Sequence, residues 1–253
     1  MAAGGAHGGR EAGHGARRVS PRHARVLLGT FTLMAVADLV SLAAGYGTGH
    51  ALAKPFLMPL LAAYVGLLGG PRLLIVGLLF GWGGDVLLLS DTDAAFLAGM
   101  ASFGAGHVCY LLLFKGRSRV KWSGSRVEGN ASRARGAWLA GGYGVALLTT
   151  VALLWPDLPP ELRLPVAGYS VLLAAMAYGA TRLGRIAALG GALFMLSDTL
   201  IATGAAEWPQ LPRPEFWIMA TYVAAQFLLV RGVMEKRAVL KAYGHRLTSP
   251  VTG

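Results

Sequence analysis

Long apolar runs separated by short polar or Gly/Pro-rich connections dominate the chain. They fall at about 26 to 46, 51 to 68, 72 to 90, 94 to 114, 136 to 155, 164 to 181, 186 to 204 and 215 to 231. Each approaches the ~20 apolar residues that a helix needs to cross a hydrocarbon core ~30 Å thick. The pattern predicts an all-α protein, a polytopic membrane bundle of eight transmembrane helices. Turn signals mark the connections at Gly69-Gly70-Pro71, Asp91-Thr92-Asp93, Pro156 to Pro160 and Pro209 to Pro214. Links this short leave no room for a second domain. The expected division is a disordered basic tail over 1–24, rich in Gly, Ala, Arg and His, then a transmembrane domain over 25–232 with a long loop at 115–135, then a tail over 233–253. The first run carries Asp38 and is too long for the apolar region of a signal peptide, so it reads as a span.

Composition supports the same class. The 253 residues are 55% hydrophobic and 14% charged, against roughly a quarter charged in soluble domains, and mean hydropathy is +0.53. A net charge of +11 would suggest nucleic acid as partner for a soluble protein, but here the charges sit between the apolar runs. Every Lys and Arg except Lys54, Arg163 and Arg213 falls on one side of an alternating eight-span topology. The opposite connections carry Asp91, Asp93, Asp157, Glu161, Glu207 and Glu215. The positive-inside rule then places both termini in the cytoplasm, with a bacterial plasma membrane as the expected location. No nucleic-acid partner is implied, and nothing indicates an oligomeric state. Cys109 stands alone, which excludes an internal disulfide framework and argues against a structural metal site. His7, His14 and His23 read as part of the tail's composition.

Three aspartates interrupt the apolar runs. Asp38, Asp85 and Asp198 each lie thirteen positions after the last basic residue before their helix, Arg25, Arg72 and Arg185. At 1.5 Å per residue all three are expected ~20 Å from the inner edge of the membrane, in one layer. Lys54 enters that layer from the outer side, with Pro55 just inside the expected helix start and Pro59 one turn on to bend it. Ionisable groups at such depth pair, or line a wet cavity, or serve function. Asp38 could simply pair with Lys54. Asp85 and Asp198 outnumber the remaining cation and are the stronger functional candidates. His107 counts to ~12 Å from the inner edge, where helix packing is its ordinary role, and Tyr110 shares its face at i+3. Ser197, Tyr222 and Gln226 add donors that either serve a site or join helices.

Two pairs of segments suggest an internal four-plus-four repeat. "MASFGAGH" (Met100 to His107) aligns with "MATYVAAQ" (Met219 to Gln226), and "GLLF" before Asp85 echoes "GALF" before Asp198. A repeat of this kind would make Asp85 and Asp198 equivalent across an axis along the membrane normal.

The ordered set "KPFLMPLL" (Lys54 to Leu61), "FGWGGDVLLL" (Phe80 to Leu89), "FLAGMASFGAGHVCY" (Phe96 to Tyr110) and "GALFMLSDTLIA" (Gly191 to Ala202) resembles the signature segments of the YhhN-like lysoplasmalogenase family. The resemblance runs from about 26 to 231 and leaves out the basic tail and the loop 115–135. It implies an integral-membrane hydrolase of the vinyl ether bond of lysoplasmalogens, releasing a fatty aldehyde and a glycerophospho-alcohol. By motif it implies Asp85 and Asp198 as the catalytic carboxylates. Lys54, Asp38, His107, Tyr110, Ser197, Tyr222 and Gln226 form the candidate substrate-binding set, with Lys54 able to meet a phosphate as a point charge. The implied partners are a lysophospholipid substrate and membrane lipids. No cofactor or metal is needed, because a protonated carboxyl can protonate the vinyl ether while an ionised one stabilises the cation formed. A transporter or proton-coupled carrier remains the alternative, since intramembrane Asp and Lys and internal repeats suit it too. An intramembrane aspartyl protease fits less well, because Trp82 occupies the first glycine position of that class's GxGD pattern.

Overall fold

The structure, a computed structural model, describes residues 21–118 and 130–248. Eight helices follow in order: α1 Pro21–Ala44, α2 Gly47–Leu67, α3 Arg72–Leu87, α4 Asp93–Ser118, α5 Asn130–Leu154, α6 Pro160–Thr181, α7 Arg185–Ala205 and α8 Pro214–Thr248. Most of the expected tail 1–24 lies outside the described residues. Helical structure reaches into both sides of the loop expected at 115–135, and α8 continues to Thr248 through most of the segment expected as a C-terminal tail.

Seven of the helices are long and apolar enough to cross a membrane. The exception is α3, whose 16 residues reach ~24 Å against a core of ~30 Å. It stops at Leu87, two residues beyond Asp85, where the N–H of Leu88 donates to the carbonyl of Gly84 and that of Leu89 to the carbonyl of Val86. The protein is an integral membrane helix bundle. Its outward faces carry Leu33, Val40, Leu52, Phe56, Leu148 and Leu164, all exposed. In water such faces would form large aggregation-prone patches; in a bilayer they meet lipid tails.

Helix α2 starts earlier than the hydropathy pattern suggests, so Pro55 and Pro59 sit in its interior instead of Pro55 marking its start. Each proline lacks the N–H that would bond the carbonyl four residues back, here Ala51 and Pro55.

Within each half the helices pack in chain order, α1 on α2, α2 on α3 and α3 on α4, then α5 on α6, α6 on α7 and α7 on α8. The halves meet through α4 on α6 and through α8 on α1 and α2. Small residues set the closest approaches. A Cβ at Gly190 of α7 would stand 2.9 Å from the backbone nitrogen of Leu229 in α8, and one at Gly232 would stand 2.8 Å from that of Ala187. Such contacts let two helices touch backbone to backbone where no water-driven force holds them together.

The α1–α2 and α7–α8 connections touch at one end of the bundle, where the Arg213 guanidinium lies over Gly45. The α5–α6 connection joins them there, Trp208 Nε1 donating to Asp157 at 2.8 Å. At the other end Arg237 donates to the carbonyl of Gly69 in the α2–α3 turn.

Candidate active site

Two chains of hydrogen bonds run between the helices. The first starts at Asp198, near the end of α7, whose side chain keeps 10% exposure. The Tyr169 hydroxyl on α6 donates to its Oδ2, and His107 Nε2 on α4 lies 2.9 Å from the same hydroxyl and 3.8 Å from Oδ2 itself. A phenol has one hydrogen to give. With that hydrogen on Asp198, Tyr169 can only accept from His107, so we assign the ring proton to Nε2. His107 Nδ1 is then a bare acceptor, and it is buried without a hydrogen-bond partner.

The second chain starts at Asp85, 2% exposed near the end of α3. Tyr222 on α8 donates to its carboxylate at 2.9 Å. Gln226, one turn further along α8, donates to the Tyr222 oxygen at 3.4 Å and accepts from Tyr110 of α4 at 2.6 Å. The glycines beside Asp85 make room for this. A Cβ at Gly81 would come 3.1 Å from both Gln226 Nε2 and the Tyr222 hydroxyl, and one at Gly84 would run into the ring of Phe103. The segment "GWGGD" thus gives α3 a face bare enough for α4 and α8 to bring side chains against it. Phe194 separates the two chains, its ring meeting His107 edge-on at 4.8 Å and Tyr222 edge-on at 5.5 Å.

A third polar group occupies α1 and α2. Asp38 is fully buried, and its Oδ1 lies 2.7 Å from His50 Nδ1. This corrects the expected pairing with Lys54. His50 precedes Lys54 by one helical turn on the same face and comes within reach of Asp38 first. Asp38 Oδ2 has no hydrogen-bond partner. Lys54 is buried on α2 and makes no ion pair within 4 Å among the described residues.

An apolar pocket of about 570 Å³ opens beside the first chain. Asp198 and Tyr169 line it, together with Met100, Phe103, Val166 and Leu173, and the hydroxyl-bearing Thr150 and Ser170. Asp85, Asp38 and Lys54 do not reach it. Of the four ionisable groups expected in one layer, Asp198 alone lines this pocket. Equal depth fixes position along the helix axes but not direction around them, and Asp85 turns toward α8 while Asp198 turns toward α6. Ser197, beside Asp198 in sequence, points elsewhere and donates to the carbonyl of Ile218 at 3.0 Å, tying α7 to α8.

A residue count from Lys115 set His107 ~8 Å nearer the inner edge than Asp198, yet its ring comes within 3.8 Å of that carboxylate. That count treats Lys115 as the membrane edge, yet α4 continues past it to Ser118, and helices slide along one another to suit their packing. Sequence reasoning missed Tyr169 and His50. A tyrosine hydroxyl in mid-span needs a partner, which marks Tyr169, and the spacing of His50 from Lys54 marks the other.

The profile of the YhhN family matches residues 49–233, which takes in every residue of the two hydrogen-bonded chains. The chain belongs to the YhhN family. It is 34% identical over 148 residues to the Lysoplasmalogenase TMEM86B of Sus scrofa, covering 56% of this chain and 55% of that protein. It is 33% identical over 152 residues to the Lysoplasmalogenase TMEM86B of Homo sapiens, covering 58% and 56%. The chain thus spans about half the length of the curated relatives it matches. No solved structure matches it.

Proposed function

We propose that this protein hydrolyses the vinyl ether bond of lysoplasmalogen-type lysolipids to a fatty aldehyde and a glycerophospho-alcohol. The observation that carries the reading is Asp198, a carboxyl held by Tyr169 on the wall of an apolar pocket, in a family whose relatives bear the lysoplasmalogenase name. Such an apolar lining suits a hydrocarbon chain with one reactive group presented to a few polar atoms.

The chemistry follows from the carboxyl. Protonated Asp198 gives its proton to the β-carbon of the vinyl ether, and the electron pair of the double bond forms the new C–H bond. The adjacent carbon becomes an oxocarbenium ion. Water adds to that carbon and returns a proton to the Asp198 carboxylate, and the resulting hemiacetal breaks its C–O bond to give aldehyde and alcohol. Tyr169 holds the carboxylate by donating to Oδ2 and leaves Oδ1 for the substrate. Asp85 supplies negative charge to the cation from behind Phe194, by field and not by contact.

Purified protein in detergent, given lysoplasmalogen and no ion gradient, is expected to release aldehyde. A carrier would release none, and absence of aldehyde from folded protein rejects the reading.

The basic residues further place both termini in the cytoplasm, with the α7–α8 connection outside. Reporter fusions should show a tag within 119–129 facing the cytoplasm and one near Gln210 facing out. The reverse pattern, with an N-terminal tag still facing the cytoplasm, would show that the short α3 does not cross; both tags on one side would show that one of α5, α6 and α7 does not.

A further inference from the structure

A second cleft lies at the end of the bundle where the α1–α2 and α7–α8 connections touch. It is an open cleft lined by Leu42, Gly45, Tyr46, Gly47, Arg213, Pro214, Glu215 and Phe216, none of which belongs to the two chains around Asp85 and Asp198. Arg213 is one of only three basic residues that fall outside the cytoplasmic set. Its backbone is left-handed at φ 56°, a conformation that non-glycine residues seldom keep without reason. Gly45, at φ 75°, faces it. A Cβ there would stand 2.5 Å from Arg213 Nη1, so the bare glycine lets the guanidinium lie flat on the backbone at the cleft wall.

The charges in this cleft are arranged to hold something between them. Arg213 and Glu215 both line it, yet no ion pair within 4 Å joins them. The first turn of α2 begins at Gly47 with no side-chain cap from Tyr46, so its leading N–H groups add partial positive charge beside Arg213. On the acidic side, Glu215 shares the cleft with the rings of Tyr46 and Phe216, and aromatic faces attract ammonium groups. Arg213 with the α2 N-terminus therefore suits a phosphate, and Glu215 with the two rings suits a cation. An anion alone would leave Glu215 opposed to it.

We propose that this cleft binds the zwitterionic headgroup of a membrane phospholipid, its phosphodiester on Arg213 and the α2 N-terminus and its ammonium on Glu215 and Tyr46. The site is separate from the Asp198 pocket and stands whether or not that pocket hydrolyses ether lipids. Its place at a helix end, beside the exposed Leu52 and Phe56 of α2, lets the acyl chains of the same lipid lie along the outer surface of the bundle.

Native mass spectrometry of the full chain released from nanodiscs would count the retained lipid. Wild-type protein is expected to retain phosphatidylethanolamine in preference to phosphatidylglycerol. Arg213→Gln should lower retention of both roughly tenfold, the loss of one charge-assisted contact. Glu215→Gln should lower only phosphatidylethanolamine and erase the preference. Both side chains are exposed, so melting temperature should not move. If Arg213→Gln fails to accumulate, Arg213→Lys keeps the charge while losing the fork, and should weaken both lipids by less. Retention unchanged by either substitution overturns the proposal. So does displacement of the lipid by free glycerophosphoethanolamine or inorganic phosphate at micromolar concentration, which would mark a site for a soluble anion instead.

Discussion

Asp198→Asn is expected to lower aldehyde release by roughly 10²- to 10⁴-fold, the usual contribution of a general acid–base group. The amide keeps the size of the carboxyl and can still accept from Tyr169, so the loss should fall on turnover while expression and melting temperature hold. Asp85→Asn is expected to cost less, because Asp85 acts across Phe194 without touching the pocket. Its loss should likewise appear in kcat and leave KM near wild type. The double variant should lose much less than the product of the two single losses, as groups that serve one transition state do. Tyr169→Phe should fall between wild type and Asp198→Asn, because it leaves the carboxyl in place and removes only the donor that orients it. A structural aspartate behaves in the opposite way. Removing a buried charge that only packs helices leaves turnover intact and can raise stability. Near-normal aldehyde release by folded Asp198→Asn protein would remove this carboxyl from the mechanism.

Gly190→Ala is expected to destabilise the bundle by about 1–3 kcal/mol, the range for forcing extra volume into a packed seam. The added carbon would meet the backbone nitrogen of Leu229 at 2.9 Å and the carbonyl of Ala225 at 3.0 Å. Backbone atoms cannot rotate away, so α7 and α8 must move apart. Because α7 carries Asp198 and α8 carries Tyr222 and Gln226, activity should fall with stability. Gly168→Ala provides the contrast. That position in α6 has open space around a new Cβ, and replacing Gly by Ala within a helix favours folding by up to about 1 kcal/mol. The check is thermal unfolding of the two variants in one detergent. Equal melting temperatures would mean that the α7–α8 seam is looser than its geometry shows.

Family membership and the helical membrane class were legible in the sequence. Length and hydropathy act along one dimension, and a chain in a bilayer has few ways to satisfy its backbone other than as helices. The turn signals placed the helices, and the intramembrane aspartates stood out against the apolar runs. The residues of each hydrogen-bonded chain were also named from the sequence, except Tyr169, which the apolar text around it hides.

What the sequence could not supply is direction around each helix and sliding along it. Those are set where helices touch, by Gly81 and Gly84 beside Asp85, by Gly190 and Gly232 between α7 and α8, and by the reach of His50 to Asp38. Packing turned Asp85 toward Tyr222 and Asp198 toward Tyr169, put Phe194 between them, and gave the pocket to Asp198 alone. It also brought His107 to within 3.8 Å of Asp198. Periodicity within a single helix carries no information about which neighbour it will meet, and in this protein the neighbour decides which carboxylate faces the pocket.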